Sequence, residues 1–311
     1  MKVASFFAGC GGLDYGFHEN ANFTHVYVND FDKDACATYE LNFKIKPYCG
    51  DIKQITEVPD CDLMIGGFPC QGFSMANPYR TPDDSRNQLY EELVRILRLK
   101  RPSYFLFENV KGLMNMGGYD TPLDKKNKTG RIMKMIIEDL TQCGYKVKWR
   151  LFKTKDYDVP QKRERVIFMG VRNDIDHELE WPEPVGTLLT LRSAIGDLPI
   201  TYDASIQHIG TAHKCRLTGY LGNRQLDWND ASPTITGRGG GSGGPVIHNH
   251  PSMERRLTVR ECARIQTFPD SFVFKGSVSS MYRQIGNAVP CRFSVHLAKM
   301  LEAAPIGAQA S

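Results

Sequence analysis

A cysteine and a glutamate, each close behind an apolar run, are the residues of this chain best suited to chemistry. Cys70 lies within Gly66-Gly-Phe-Pro-Cys-Gln-Gly-Phe-Ser74, downstream of the apolar residues Leu63-Met-Ile65. Glu108 follows the apolar stretch Phe105-Leu-Phe107. A thiolate can add to an electron-poor ring, and a carboxyl group can support the charge that such an addition develops. The two residues therefore indicate covalent catalysis on a flat, electron-poor ring.

A glycine-rich loop after the first apolar segment favours a nucleoside-containing cofactor. Ala8-Gly-Cys-Gly-Gly12 separates a strand-like segment from a helix-like one, so backbone N–H groups can face a ligand. The pattern is not GxGxxG, which argues against a dinucleotide. Asp30 ends the next strand-like segment, where a carboxylate can accept hydrogen bonds from ribose hydroxyls. Gly50-Asp51-Ile52 either presents a second carboxylate to the base of the cofactor or forms a simple turn.

The segments that position these residues alternate between strand-like and helix-like patterns. Strands are predicted at 2–7, 25–28, 62–66, 103–107, 147–152 and 166–170, and helices at 32–41, 91–98 and 131–140. This alternation predicts an α/β fold in which helices cover a mostly parallel sheet. The stretch 115–130, rich in Gly, Lys, Asn and Asp, is expected to be a surface loop.

Beyond about residue 172, prolines, glycines and single aromatic residues interrupt every periodic pattern. Helical patterns return at 258–265 and 288–301. Ahead of them, the run Gly237-Arg-Gly-Gly-Gly-Ser-Gly-Gly244 is either a flexible linker or backbone that approaches a ligand closely.

Composition narrows the class of protein. The length of 311 residues allows one large domain or two smaller ones. A net charge of +4 permits a nucleic-acid partner without requiring one. The nine cysteines are odd in number and form no CxxC pair, which argues against disulfides and against a metal site. No signal peptide or membrane-spanning run is visible, so a cytoplasmic location and no membrane partner are expected.

A series of short motifs extends over nearly the whole chain. In chain order they are Phe7-Ala-Gly-Cys-Gly-Gly-Leu13, Asp30, Gly50-Asp51-Ile52, Pro69-Cys70-Gln71, Arg86-Asn-Gln-Leu89, Glu108-Asn-Val110, Gln161-Lys-Arg163-Glu-Arg165, Arg256-Leu-Thr-Val-Arg260-Glu-Cys-Ala-Arg264 and Gln284-Ile-Gly286-Asn287-Ala-Val-Pro290. In their order and spacing, these motifs resemble those of the bacterial C5-cytosine DNA methyltransferases. Ser5 departs from the aspartate of many members, and Asp30 from the more usual glutamate.

The resemblance implies the Rossmann-like fold of S-adenosylmethionine-dependent methyltransferases with a second, smaller and irregular target-recognition domain. Residues 1–178, completed by 281–311, would form the catalytic and cofactor-binding domain, and 179–280 the recognition domain and hinge. The cofactor would be S-adenosyl-L-methionine, bound by Phe7, Ala8, Gly9, Gly11, Gly12, Leu13, Asp30, Phe31, Asp51, Ile52, Pro69, Leu89, Asn287 and Ala288.

The resemblance also implies methyl transfer to C5 of a cytosine that is flipped out of double-stranded DNA. Cys70 would add to C6, Glu108 would bind the ring at N3 and the amino group, and Arg163 and Arg165 would position the target nucleotide. The target is expected to be a GC-rich site of about four base pairs, read from the major groove. The expected DNA contacts are Gln71, Ser74, Arg224, Thr234, Ile235 and Arg238.

The expected protein is a monomer, with a separately encoded restriction endonuclease as a possible partner. One alternative is an RNA C5-cytosine methyltransferase, although the Cys-Phe-Thr signature of the family's tRNA-modifying branch is not found. A second is an inactive homologue that only binds DNA, against which the intact Cys70, Glu108, Arg163 and Arg165 argue. A third alternative is a metal-dependent nuclease, but the sequence shows no carboxylate or histidine cluster of suitable spacing.

Overall fold

The computed structural model describes residues 1–69, 88–212, 214–218, 223–237 and 247–307. Four predicted site residues lie outside these ranges: Cys70, Gln71, Ser74 and Arg238. The glycine run after Gly237 lies outside them too.

A seven-stranded sheet forms the centre of the described chain, with the strand order β3-β2-β1-β4-β5-β7-β6. Strands β1 to β5 are parallel to one another, whereas β7 is antiparallel to both β5 and β6. The prediction of a mostly parallel sheet is therefore confirmed. The strands are β1 (Lys2–Phe6), β2 (Thr24–Asp30), β3 (Tyr48–Cys49), β4 (Leu63–Gly66), β5 (Tyr104–Val110), β6 (Tyr145–Lys153) and β7 (Glu164–Arg172).

Helices cover the sheet, and four more follow β7 among longer irregular segments of the described chain. They are α1 (Asp14–His18), α2 (Lys33–Phe43), α3 (Gln88–Lys100), α4 (Pro122–Asn127), α5 (Arg131–Gln142), α6 (Leu191–Ile195), α7 (Val259–Ile265), α8 (Val278–Asn287) and α9 (Cys291–Leu301). None of the helices in the described ranges is long and apolar enough to cross a membrane.

Alternate residues of the central strands pack into two different cores. In β4 and β5, Met64 and Phe105 contribute to one cluster, while Leu63 and Tyr104 contribute to the other. All four are fully buried. Because successive side chains of a strand point to opposite faces, both faces of the sheet are covered, as parallel strands require.

Helix α9 closes one of these cores beside the first glycine loop. Its residues Phe293, Leu297 and Leu301 share a cluster with Leu13 and Phe17. Gly16 of α1 donates its N–H to the Ser294 hydroxyl at 2.8 Å. The last helix therefore packs directly on the first.

Two local patterns differ from the sequence prediction. The stretch 115–130 is not a loop throughout, because α4 begins inside it with a capping box between Thr121 and Asp124 and with Pro122 as its first residue. The predicted helix over 288–301 begins only at Cys291, because Ala288 is extended and Pro290 caps the helix.

Candidate active site and cofactor cavity

A cavity of about 740 Å³ opens at the carboxyl ends of β1, β2, β4 and β5. It lies where the chain order of the sheet reverses, between β1 and β4, which is the usual ligand site of such sheets. Of the fourteen predicted cofactor residues, all but Gly11 line it. These are Phe7, Ala8, Gly9, Gly12, Leu13, Asp30, Phe31, Asp51, Ile52, Pro69, Leu89, Asn287 and Ala288.

The two left-handed glycines of the first loop have different surroundings. Gly9 has a φ of +57°, and a Cβ there would meet no atom of the described residues within 4 Å. Gly11 has a φ of +90°, and a Cβ there would lie 2.2 Å from a ring carbon of Phe43. Gly9 therefore leaves space beside the cavity, whereas Gly11 lets the loop pack on α2 and does not face the cavity.

Asp30 ties this loop to the end of β2. Its carboxylate accepts the Gly9 N–H at 2.7 Å and the Asp32 N–H at 2.8 Å. Burial raises the pKa of the Asp30 carboxyl, while these two N–H groups oppose the rise. These hydrogen bonds hold the Asp30 carboxyl group in one orientation at the cavity wall, and they also fix the backbone of the glycine loop.

Three further groups give the cavity the features of a nucleoside site. Phe31 follows Asp30 and leaves 76% of its surface exposed, so its ring is available for stacking. Asp51 supplies a second carboxylate on the wall. The buried Ser5 hydroxyl also lines the cavity and finds no hydrogen-bond partner among the described residues. The residues present therefore fit a nucleoside-containing cofactor.

Glu108 and Arg165 lie together on the same wall. Glu108 is near the carboxyl end of β5, and Arg165 is near the start of the antiparallel β7, so both reach the same edge of the sheet. The Arg165 Nε forms an ion pair with Glu108 Oε1, and the two side chains are only 10% and 12% exposed. A Cβ on Gly67 would lie 3.0 Å from Glu108 Oε2, so the chain leading to Pro69 passes beside this carboxylate.

Arg163 is placed away from the cavity, unlike the predicted contact with a target nucleotide. Its fully buried guanidinium donates to the main-chain oxygens of Ile235 at 2.7 Å and Gly286 at 2.9 Å. Burial lowers the pKa of Arg163, and the charge of Arg165 adds to this effect. The arginine joins the start of β7 to two distant segments of the chain.

The residues predicted to contact DNA also differ from one another in exposure to solvent. Arg224 is exposed. Thr234 is partly buried and its hydroxyl donates to the Lys162 carbonyl at 3.2 Å. Ile235 is only 2% exposed, and its N–H donates to the Gln161 side chain at 2.9 Å. Ile235 therefore packs inside the protein instead of facing a ligand.

The lining residues that the sequence did not assign to the cofactor site include Thr236, Gly237 and Arg283. A Cβ on Gly237 would lie 2.4 Å from the Arg283 carbonyl and from the Asn287 side chain. This close approach brings the backbone at 236–237 to the cavity, and no local pattern in the sequence indicates it.

Comparison with known proteins identifies the family. The family model described as C-5 cytosine-specific DNA methylase matches residues 1–303. The chain belongs to this family. It is a DNA (cytosine-5)-methyltransferase, and its fold is that of S-adenosylmethionine-dependent methyltransferases.

Individual relatives agree with this assignment over most of the chain. The Type II methyltransferase M.BsuRI of Bacillus subtilis is 36% identical, and the match covers 93% of this chain and 76% of the relative. M.MthTI of Methanothermobacter thermautotrophicus is 34% identical over 97% of both chains. The solved structure of S. pombe Dnmt2 methyltransferase has a TM-score of 0.70 and 21% identity, with 97% of this chain and 98% of that one covered. The Dnmt2 likeness concerns the fold alone.

Proposed function

We propose that the enzyme transfers a methyl group from S-adenosyl-L-methionine to C5 of a cytosine flipped out of a short, specific duplex site, through a covalent bond between Cys70 and C6. The observation that carries the proposal is the ion pair of Glu108 with Arg165 on the wall of a nucleoside-sized cavity. The chain runs along this wall to Pro69, the residue before Cys70.

The cofactor would be held by the backbone at Phe7–Gly9, by the carboxylates of Asp30 and Asp51, and by the ring of Phe31. Asn287 and Ala288 would bound it from the C-terminal side. When bound, S-adenosyl-L-methionine supplies an electrophilic methyl group. The exposed ring and the two carboxylates support this assignment, because they suit the base and the ribose of a nucleoside.

The protein side of the reaction would divide between a nucleophile and an acid. The Cys70 thiolate adds to C6 of cytosine, and the electrons move to make C5 nucleophilic. A Glu108 carboxyl group that carries a proton would donate it in a hydrogen bond to N3, accept a hydrogen bond from the exocyclic amino group, and support the negative charge that develops on the ring. After transfer the C5 proton leaves to a base, the C5–C6 double bond re-forms, and Cys70 departs as a thiolate.

Arg165 would act mainly by orienting Glu108, since its guanidinium contacts that carboxylate directly. Arg163 would be a positioning residue, since it holds main-chain carbonyls and lies away from the cavity wall. Both roles are inferred from these contacts and replace the sequence-based expectation that the two arginines act alike on the nucleotide.

Target reading would fall to 179–280, with the catalytic unit formed by 1–178 and 281–311. Arg224 is exposed and can approach DNA, and Arg238 comes directly after Gly237, which lines the cavity. An arginine that reads guanine O6 and N7 gains about 1–3 kcal/mol of discrimination. A GC-rich target of about four base pairs, read in this way, is our proposal. A restriction endonuclease that cuts the same site would complete the system.

A duplex carrying 5-fluorocytosine tests the covalent step. Because fluorine cannot leave C5 as a proton does, the wild-type enzyme should stay attached to this DNA in the presence of the cofactor. The Cys70→Ser variant should give no adduct, while Cys215→Ser, which alters a half-exposed cysteine elsewhere, should react like the wild type. An adduct that maps to any other cysteine would overturn the proposal. Methylation of an RNA of the same sequence in preference to the duplex would favour the RNA alternative.

A further inference from the structure

Two cysteines lie next to Asp30 beside the cavity, and neither takes part in the chemistry above. Cys36 belongs to α2, and its thiol donates to the Asp30 carbonyl at 3.5 Å. Cys49 belongs to β3 and is the direct partner of Asp30 in the parallel pairing of β2 with β3. The same Asp30 carbonyl accepts the N–H of Gly50, the residue that follows Cys49, at 3.0 Å. Both cysteines therefore meet at Asp30.

The two thiols differ in access. Cys49 is exposed, whereas Cys36 is buried, with 5% of its surface accessible. Burial raises the pKa of Cys36, and the neighbouring Cys49 thiol adds to the rise. An oxidant in solution can therefore reach Cys49 first, with Cys36 behind it as a second, slower thiol.

Both cysteines are joined to the wall of the cavity. Ala35, next to Cys36, and Gly50, next to Cys49, line it. Gly50 also donates its N–H to the Asp30 carbonyl at 3.0 Å, the same oxygen that Cys36 binds. A change in the distance between the two thiols must therefore move the residues around Asp30.

We propose that Cys36 and Cys49 form a reversible disulfide that weakens the binding of the cofactor. With oxidised glutathione as the oxidant, the Cys49 thiolate attacks one of its sulfurs, forms a mixed disulfide and releases one glutathione thiolate. The Cys36 thiolate then attacks the Cys49 sulfur and releases the second. Two protein thiols lose two electrons and two protons, and one glutathione disulfide becomes two glutathione thiols.

The bond has a mechanical consequence for the site. The sulfurs of two free thiols lie farther apart than the about 2.05 Å of a disulfide, so forming the bond draws the first turns of α2 towards β3. Cys36 also loses the hydrogen that it donates to the Asp30 carbonyl. This part of the inference rests on the proposed cofactor site, whereas the disulfide itself does not.

The disulfide is tested by peptide mapping of the full-length chain with Cys70→Ala, which removes the proposed nucleophile from competition. After treatment with oxidised glutathione, trypsin should release peptides 34–44 and 45–53 joined and lighter by two hydrogens. Cys215→Ser, the matched control, should keep the joined peptide, and Cys49→Ser should lose it. In the Cys36→Ser variant the reaction should stop at the mixed disulfide, with one glutathione attached to Cys49. If Cys49 with its partner present carried stable glutathione and no joined peptide formed, the pair would not be a disulfide site.

The effect on the cofactor is tested by calorimetry with S-adenosylmethionine on the reduced and the oxidised chain. The oxidised chain should bind about 5-fold more weakly or worse, and dithiothreitol should restore the affinity. Linkage requires that saturating cofactor oppose disulfide formation by the same factor. Equal affinities would overturn the coupling alone. A reduced chain that does not bind S-adenosylmethionine would overturn the cofactor assignment, and the coupling with it.

Discussion

Single side chains at this site have more than one partner, and Asp30 is the clearest case. One carboxylate oxygen binds Gly9 and the other binds Asp32, so the acid orders the loop that is proposed to hold the cofactor. Removing it should disturb both the loop and any direct contact with ribose. A substitution at Asp30 should therefore reduce cofactor affinity more than a substitution of a residue that only contacts the ligand.

The substitution Asp30→Ala should weaken binding of S-adenosylmethionine by about 1–3 kcal/mol, because it deletes charged hydrogen bonds. Asp30→Glu keeps the carboxylate and is the matched control, and it should bind more tightly than the alanine variant. Calorimetry measures both. Unchanged affinity in Asp30→Ala would remove this residue from the cofactor site.

At Arg165 the expected change is in rate. Arg165→Lys replaces a planar guanidinium with a point charge that cannot hold Glu108 in the same way. The single-turnover rate of methyl transfer should fall on the order of 10²-fold, the scale of losing one oriented electrostatic group. Lys111→Ala is the control, since it breaks a neighbouring ion pair with Glu164 whose side chains are 53% and 31% exposed, and such pairs contribute little. Equal rates in the two variants would contradict the role given to Arg165.

At the scale of elements, the contact of α1 with α9 depends on the absence of a side chain. A Cβ on Gly16 would lie 2.3 Å from the main-chain carbon and oxygen of Ser294. Gly16→Ala should therefore lower the free energy of unfolding by about 1–3 kcal/mol. Thermal or denaturant unfolding measures the loss.

A second glycine provides the comparison. A Cβ on Gly112 would approach no atom closer than the 3.9 Å to a methyl carbon of Val110. Gly112→Ala should be neutral or stabilise the protein by about 0.4–1 kcal/mol, because alanine restricts the unfolded chain. If both alanine variants unfolded alike, the close contact of α1 with α9 would not be important for stability.

The order of elements was predictable because it depends on local patterns. Apolar strands that end in glycine or acid, followed by helical periods, predict the parallel sheet and place Gly9, Asp30 and Glu108 at one edge. The capping box of Thr121 with Asp124 was also readable, and it explains the helix that the prediction omitted.

The rest of the site could not be predicted, because it depends on distant contacts. Gly237 reaches the cavity only through its packing on Arg283 and Asn287. Arg163 and Arg165 are two residues apart and would share one face of a regular strand. However, β7 begins at Glu164, so Arg163 precedes it and points to other partners.

At the scale of the whole molecule, a buried polar network joins three distant parts of the chain. The Gln161 side chain accepts the Ile235 N–H and donates to the Gln266 side chain at 2.8 Å. Gln266 in turn donates to the Ile285 carbonyl at 2.6 Å. With Arg163, this network fixes the segment around Ile235 against α8, next to the cavity. Cofactor binding and target binding should therefore depend on the same contacts.

Replacing Arg163 distinguishes a structural role in this buried network from a direct contact with DNA. Arg163→Met fills the same space with an apolar side chain but leaves the Ile235 and Gly286 carbonyls without their donor. Each buried, unsatisfied carbonyl should lower the free energy of unfolding by about 1–3 kcal/mol. The melting temperature, the affinity for S-adenosylmethionine and the affinity for target DNA should fall together. Arg224→Met changes an exposed arginine within 179–280, the proposed recognition residues. It should weaken DNA binding and leave stability and cofactor affinity unchanged. If Arg163→Met lost DNA affinity while stability and cofactor affinity stayed unchanged, Arg163 would contact the DNA directly, and the network would not couple the two sites.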